Sequence, residues 1–343
     1  MPQTPTGRLP HIAEDRPWLK GVRPFVRQTL WPKMQALQEQ YPGRQKPDYR
    51  KRYIQAATFF GGFVVAVFGS AAIHPFLAFP VFIGGIVGLF VIGAAMSSGQ
   101  SAERVAKARA MEKQVVADIA GFLGFSYRPD STGEEADDAR SDLRDAGMLP
   151  YAPEHCHWSE GLHVEGEGYS ADVWDLVVSE HGPEVRDQNT PFEGMVVRIA
   201  LTRKEIAGDV VGVGRRTFFR KATGPVWIGT DERPAFRPVD LESLDFEERF
   251  TVFATDQIGA RYLLTPAFME RLVKMTEVIG YDAAHFVCVD SHLTLLFDTR
   301  ADPFEIGDGK TLCEPVSVER VFAELSGILD LGEALNLDSR TRV

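Results

Sequence analysis

Between Tyr53 and Ala102 the chain has no Asp, Glu, Lys or Arg, although charged residues make up 25% of its 343 positions. A globular domain does not space its charges fifty residues apart, whereas a hydrocarbon layer demands it. His74-Pro75 divides the run into 54–73 and 76–96, each about the 20 residues that a helix needs to cross roughly 30 Å of lipid. Cysteine is also scarce. Cys156, Cys288 and Cys313 are odd in number, far apart and free of any CxxC pairing, which argues against a disulfide framework and fits a reducing compartment. A cleaved leader is disfavoured, because 52 mostly polar residues precede the apolar run and a second apolar run follows it. The pair of runs is expected to persist as a helical hairpin at 53–99.

Charge is distributed unevenly around this hairpin. Residues 1–52 hold 11 Lys and Arg against 4 Asp and Glu, residues 103–130 hold 5 against 4, and residues 131–343 hold 21 against 40. The acidic part repels phosphate backbones, so nucleic acid is excluded as its expected partner. Lys33, Arg44, Lys46, Arg50, Lys51 and Arg52 precede the hairpin and Arg104, Lys107, Arg109 and Lys113 follow it, while the His74-Pro75 turn has no cation. The positive-inside rule therefore puts both termini in the cytoplasm, with two spans in a cytoplasmic membrane. Gly62, Ala66 and Ser70 in the first span and Gly84 and Gly88 in the second form small-residue faces. Such faces let backbones approach within the hairpin, or between hairpins as a homo-oligomer. Only His74 is ionisable, and it lies at the turn, which argues against an ion or proton pathway.

Along the chain, residues 1–52 read as a Pro-rich tail followed by a basic amphipathic helix from Pro32, with Trp31, Met34, Leu37 and Tyr41 near one face. That face is expected to pack on the soluble domain or on the helix after the hairpin, while Trp18, Trp31, Arg23, Arg27 and Lys33 also permit an interfacial helix on the headgroups. Residues 100–126 form a membrane-proximal helix capped by Ser101. The domain 127–343 begins with a short acidic helix over 136–146. Its period then changes to alternation, with strands over 161–168, 171–180, 192–202, 210–213, 217–219 and 248–254, then 285–289 and 293–298 about an Asp290-Ser291-His292 turn. Helices are expected at 256–262, at 266–276 behind Thr265-Pro266, and behind a Ser317 cap. The fold class is α+β, a largely antiparallel sheet with flanking helices attached to the transmembrane hairpin.

The order of these elements, with Gly124-Phe125-Ser126-Tyr127, Gly147-Met148-Leu149-Pro150, the run Arg261 to Leu272, the strand Leu293 to Phe297 and Phe304-Glu305, resembles a bacterial membrane-protein family catalogued as domain of unknown function 3137. The resemblance covers most of the chain. It implies the architecture and carries no activity, cofactor or catalytic residue to transfer.

Chemistry-bearing residues are few. His155, Cys156, His157 and His163 are the only dense set of metal-ligand types, and no second ligand pair follows at zinc-site spacing. A polar loop leading into a strand, anchored by Trp158, is the plainer reading. Asp290-Ser291-His292 has the residue types of a triad, but adjacent residues cannot adopt triad geometry and a β-turn explains them. Gly208, Gly212 and Gly214 lack the following helix that a phosphate loop needs. Cys288, between Val287 and Val289, reads as a buried small hydrophobe. Arg261 and Tyr262 are residue types favoured at binding surfaces, or a paired surface cation and a core aromatic. No catalytic residue and no cofactor is assigned. The expected function is a membrane-anchored cytoplasmic binding or scaffold protein with a protein partner; the alternatives are a membrane-associated, metal-dependent enzyme using His155, His157 or His163, and a structural oligomer built through the hairpin.

Overall fold

A computed structural model of the chain describes residues 9–42, 100–128, 134–149, 153–179, 192–201, 205–214, 236–279, 283–299, 304–307, 309 and 311–337. The hairpin with Gly62, Ala66, Ser70, Gly84 and Gly88, and the short strand expected at 217–219, lie outside these residues. Among the described residues no helix is long and apolar enough to cross a membrane.

The helices are α1 (Val22–Phe25), α2 (Trp31–Gln38), α3 (Gln100–Phe122), α4 (Glu134–Asp145), α5 (Leu244–Glu247), α6 (Gln257–Leu263), α7 (Pro266–Ile279) and α8 (Pro315–Leu337). The strands are β1 (Ser126–Arg128), β2 (Cys156–Gly166), β3 (Tyr169–Val178), β4 (Phe192–Leu201), β5 (Val210–Gly214), β6 (Arg237–Pro238), β7 (Phe250–Ala254), β8 (Ala283–Val289) and β9 (His292–Asp298). The α+β class with an antiparallel sheet and flanking helices is therefore what the chain adopts.

Two compact units are present, one formed by 1–6, 32–114 and 307–314, the other by 7–31, 115–306 and 315–343. In the first, Gln38 Oε1 accepts hydrogen bonds from the Leu312 and Cys313 amides at 2.5 and 3.3 Å, and from Thr311 Oγ1 at 3.0 Å. One side chain thus satisfies three donors of a loop with no regular structure. Tyr41 donates to the buried Glu112 carboxylate.

The second unit is built on a nine-stranded antiparallel sheet in the order β1-β2-β3-β4-β9-β8-β5-β7-β6. Alternation sorts its side chains. Trp174, Leu176, Val178, Phe192, Val196 and Leu296 face α4, packing on Ala139 and Leu143, while the intervening residues of β2, β3 and β4 face α8. β2 starts at Cys156, five residues before the expected 161, because a bulge between Ser159 and Gly161 breaks the alternation that would have revealed the strand. The same strand stops at Gly166, where Gly168, at φ 87°, turns the chain into β3. Helix starts follow local chemistry: Asp256 accepts from the Gly259 amide at 2.6 Å to begin α6, and Thr265 from the Phe268 amide at 3.3 Å to begin α7. Two expected caps fall inside their helices: Ser317, because α8 already begins at Pro315, and Ser101, because α3 begins at Gln100.

Asp290 and Ser291 both have positive φ, 47° and 63°, closing β8 onto β9 in a two-residue turn across the Val289–His292 pair. Ser291 compensates by accepting the Ile206 amide on Oγ and the Leu201 amide on its carbonyl, both at 3.0 Å. His292 starts β9 and its Nδ1 meets the Asp290 carbonyl at 2.9 Å, so the three residues form a turn.

The approach of α8 to the sheet depends on Tyr169. Its buried ring lies between two glycines: a Cβ on Gly166 or on Gly332 would each fall 2.2 Å from it. With both sides filled, the ring has nowhere to retreat. Gly332→Ala is expected to destabilise the protein by about 1–3 kcal/mol, the usual range for overpacking, as a lower urea midpoint with an unchanged m-value.

On the α4 face of β8, burial lowers the pKa of His285 to about 3, and its Nδ1 accepts the Gly214 amide at 3.2 Å. The fold holds this ring neutral while the unfolded chain protonates it near the ordinary value of 6.5. Its contribution is therefore complete above about pH 6.5 and declines by about 1.4 kcal/mol per pH unit below that, down to about pH 3. His285→Asn, which keeps an acceptor and removes the titration, should flatten that part of the stability curve in urea unfolding between pH 7 and 4.5.

Candidate functional site

Residues 9–19, which overlap the poorly ordered tail that the prolines suggest for 1–17, form a strap across α7 and α8. Arg16 reaches Asp330 of α8 at 3.1 Å, and Arg271 of α7 reaches the same carboxylate oxygen at 2.7 Å. The His11 amide donates to Glu319 of α8 at 2.6 Å. The strap is legible only in three dimensions, because each of its partners lies more than 250 residues away in the chain.

Between strap and helices lies a cavity of about 250 Å³. The Arg271–Asp330 pair and the contact distance between a Cβ at Gly327 and Met275 show that α7 and α8 run antiparallel. The wall is therefore ordered along α8. Glu319 sits at one end, the apolar Phe322, Ala323 and Met275 occupy the middle with Leu19 of the strap, and Asp330 sits at the other end, about 16 Å from Glu319 at 1.5 Å per residue. Around Asp330 two guanidiniums share one carboxylate, and the exposed Lys274, one turn beyond Arg271, forms no ion pair among the described residues. Asp15 of the strap also lines the cavity, so Arg16, Arg271 and Lys274 face Asp15, Glu319 and Asp330 and the charges of the wall balance. Ser326 is 8% exposed, and its Oγ is buried behind the cavity wall with no hydrogen-bond partner among the described residues. Tyr169 lies beneath α8, its phenol pushed up to about 12 by burial and by Glu333 and Asp330.

The histidines singled out as metal-ligand types are dispersed. His155 ends the helical turn Pro153–His155 before β2, so it does not share a strand face with His157. His157 lies on β2 with Nε2 3.3 Å from the Ser179 carbonyl. His163 is six positions further along, roughly 20 Å at about 3.3 Å per residue, with Nδ1 2.7 Å from Asp172 and Nε2 2.9 Å from Glu165. Among the described residues no three His, Cys, Asp or Glu side chains are placed to hold a metal ion. Trp158 does act as an anchor, edge-on to Trp174 at 5.9 Å with the Arg140 guanidinium 5.5 Å from its ring. Cys156, Cys288 and Cys313 are all buried, and burial raises the thiols of Cys156 and Cys313 to about 11, which suppresses the reactive thiolate.

Register brings together a set that sequence reading missed. Ser126, His163, Asp172, Arg198 and Thr294 stand opposite one another on five successive strands. They make a polar row across the α4 face. From the helix, Asp138 and Asp142 each approach Arg198 at 3.5 Å, and Thr294 donates to Asp142 at 3.4 Å. Burial raises the Asp142 pKa against the lowering effect of Arg198. These contacts dock α4, and no signal in the sequence could align residues from five separate strands.

Arg261 and Tyr262 lie on α6. Arg261 is exposed and donates to the Gln257 carbonyl at 3.4 Å, while Tyr262 is half-buried. Ile258, overlooked in the sequence, is 78% exposed and shares their helix face at spacings of three and four.

Asp330→Asn should loosen the strap, because two guanidiniums then face each other without a carboxylate. The expected outcome is faster amide hydrogen exchange over residues 9–19 and a loss of roughly 2 kcal/mol in urea unfolding.

No curated protein and no solved structure matches the chain. Residues 190–337, which run from β4 through α8, match a family described as "Protein of unknown function (DUF3137)".

Proposed function

We propose that the chain is a membrane-anchored cytoplasmic binding protein. The uncharged run at 53–102 supports a two-span hairpin in a cytoplasmic membrane with both termini on the cytoplasmic side. The observation that carries the binding assignment is the face of α6, where an isoleucine left 78% exposed stands beside Arg261 and Tyr262. An aliphatic side chain displayed next to an Arg and a Tyr is the composition of a protein contact, apolar at its centre and polar at its border. The partner is therefore a second protein, recruited at the membrane surface.

Two measurements on the full chain in native membranes test this. A photo-crosslinking residue at position 258 should give a discrete adduct with another protein that is lost on Arg261→Glu; no adduct, or one indifferent to Arg261, would refute the contact. The native cysteines are buried, so His74→Cys reports alone. It should react with an impermeant thiol reagent added outside intact cells, and protection there with labelling only after lysis would reverse the topology.

A further inference from the structure

We propose that the cavity between the strap, α7 and α8 binds an uncharged, apolar small molecule, and that its binding holds the strap closed. Protein interiors rarely leave voids larger than a water molecule, and this one, at about 250 Å³, is far larger. All three elements contribute hydrocarbon to it: Ile12 and Leu19 from the strap, Met275 and Val278 from α7, Phe322 and Ala323 from α8. A water held among such groups needs about two to four polar partners of its own. The carboxylates at the two ends are already engaged, Asp330 by Arg16 and Arg271 and Glu319 by the His11 amide. A hydrocarbon body fills the space between them without such partners and gains by leaving water.

The charges of the wall select against an ion. Arg16, Arg271 and Lys274 face Asp15, Glu319 and Asp330, which leaves no surplus of either sign. An anion or a cation entering the apolar middle would lose its hydration with no surplus counter-charge to replace it. The mouth points the same way, because Val278 is 52% exposed while it lines the cavity. Antiparallel packing puts this valine one turn beyond the contact of Met275 with Gly327, on the side of Ala323, where a ligand would cover it. Size sets the upper limit. An apolar cavity of about 150 Å³ takes benzene, so this one accommodates a second ring and excludes a phospholipid. The site is separate from the α6 contact, and the failure of either leaves the other standing.

The test uses the full chain in lipid nanodiscs with phenyl(trifluoromethyl)diazirine, a neutral photoprobe, and locates labelled peptides by mass spectrometry. Label is expected on the strap, α7 and α8 peptides, reduced at least fivefold by naphthalene and far less by naphthoate or naphthylmethylammonium at equal free aqueous concentration. Naphthalene should also slow amide exchange over residues 9–19 at least threefold, a readout that needs no covalent label. Ala323→Leu, which fills the apolar middle, should abolish labelling and the slowed exchange, and Val278→Lys, at an exposed position, should weaken both several-fold. Label confined to other peptides, equal competition by naphthoate or naphthylmethylammonium, or responses unaffected by both substitutions would overturn the proposal.

Discussion

The packing of a glycine-flanked tyrosine decides where the longest helix of the sheet unit can lie. Tyr169 fills the space between Gly166 on its own hairpin and Gly332 on α8, so helix and sheet meet at one permitted separation. That constraint carries outward. Asp330, Ser326, Phe322 and Glu319 lie on the same helix at successive turns N-terminal to Gly332, and their relation to α7 and to the strap follows from where α8 is seated. The cavity therefore depends on a contact beneath it that none of its lining residues makes.

A second constraint operates on the other face. Strand register lines up Ser126, His163, Asp172, Arg198 and Thr294, and the acidic α4 lays Asp138 and Asp142 over Arg198. Burying such a row is costly unless its members are paired, and the alternating core of Trp174, Leu176, Val196 and Leu296 beside it supplies the apolar contact that holds α4 down. The acidity of residues 131–343 is thus partly architectural, since some of those carboxylates face inward onto cations.

Several elements could be read directly. Thr265-Pro266 marks the start of α7 because a cap is a contact between residues three apart, whereas Asp256, expected inside α6, caps it instead. Strands β4 and β9 carry clean runs of Val, Ile and Leu, and the Asp290-Ser291 turn stands out between β8 and β9. Strand β2 was legible only in its second half, as the bulge at Ser159–Gly161 interrupts its period. Helix α5, four residues long, and the two-residue β6 are too short to leave a periodic signal. The candidate sites divide similarly. Arg261 and Tyr262 were recognisable by residue type, whereas Ile258 was not, since an isoleucine on a helix reads as core until its exposure is known.

By itself the sequence determined the α+β class, the Thr265 cap and the Asp290-Ser291 turn, the likeness of residues 190–337 to a family of unknown function, and the charge asymmetry around an uncharged run. All of these depend on residues close together in the chain or on composition. The tertiary structure alone decided that residues 9–19 form a strap, that His155, His157 and His163 stand apart, and that Arg16, Arg271 and Asp330 converge beside an unpartnered Ser326. Those relations join positions as far apart in the chain as Arg16 and Asp330, and their distances are set by how α8 packs on the sheet, which no local pattern encodes.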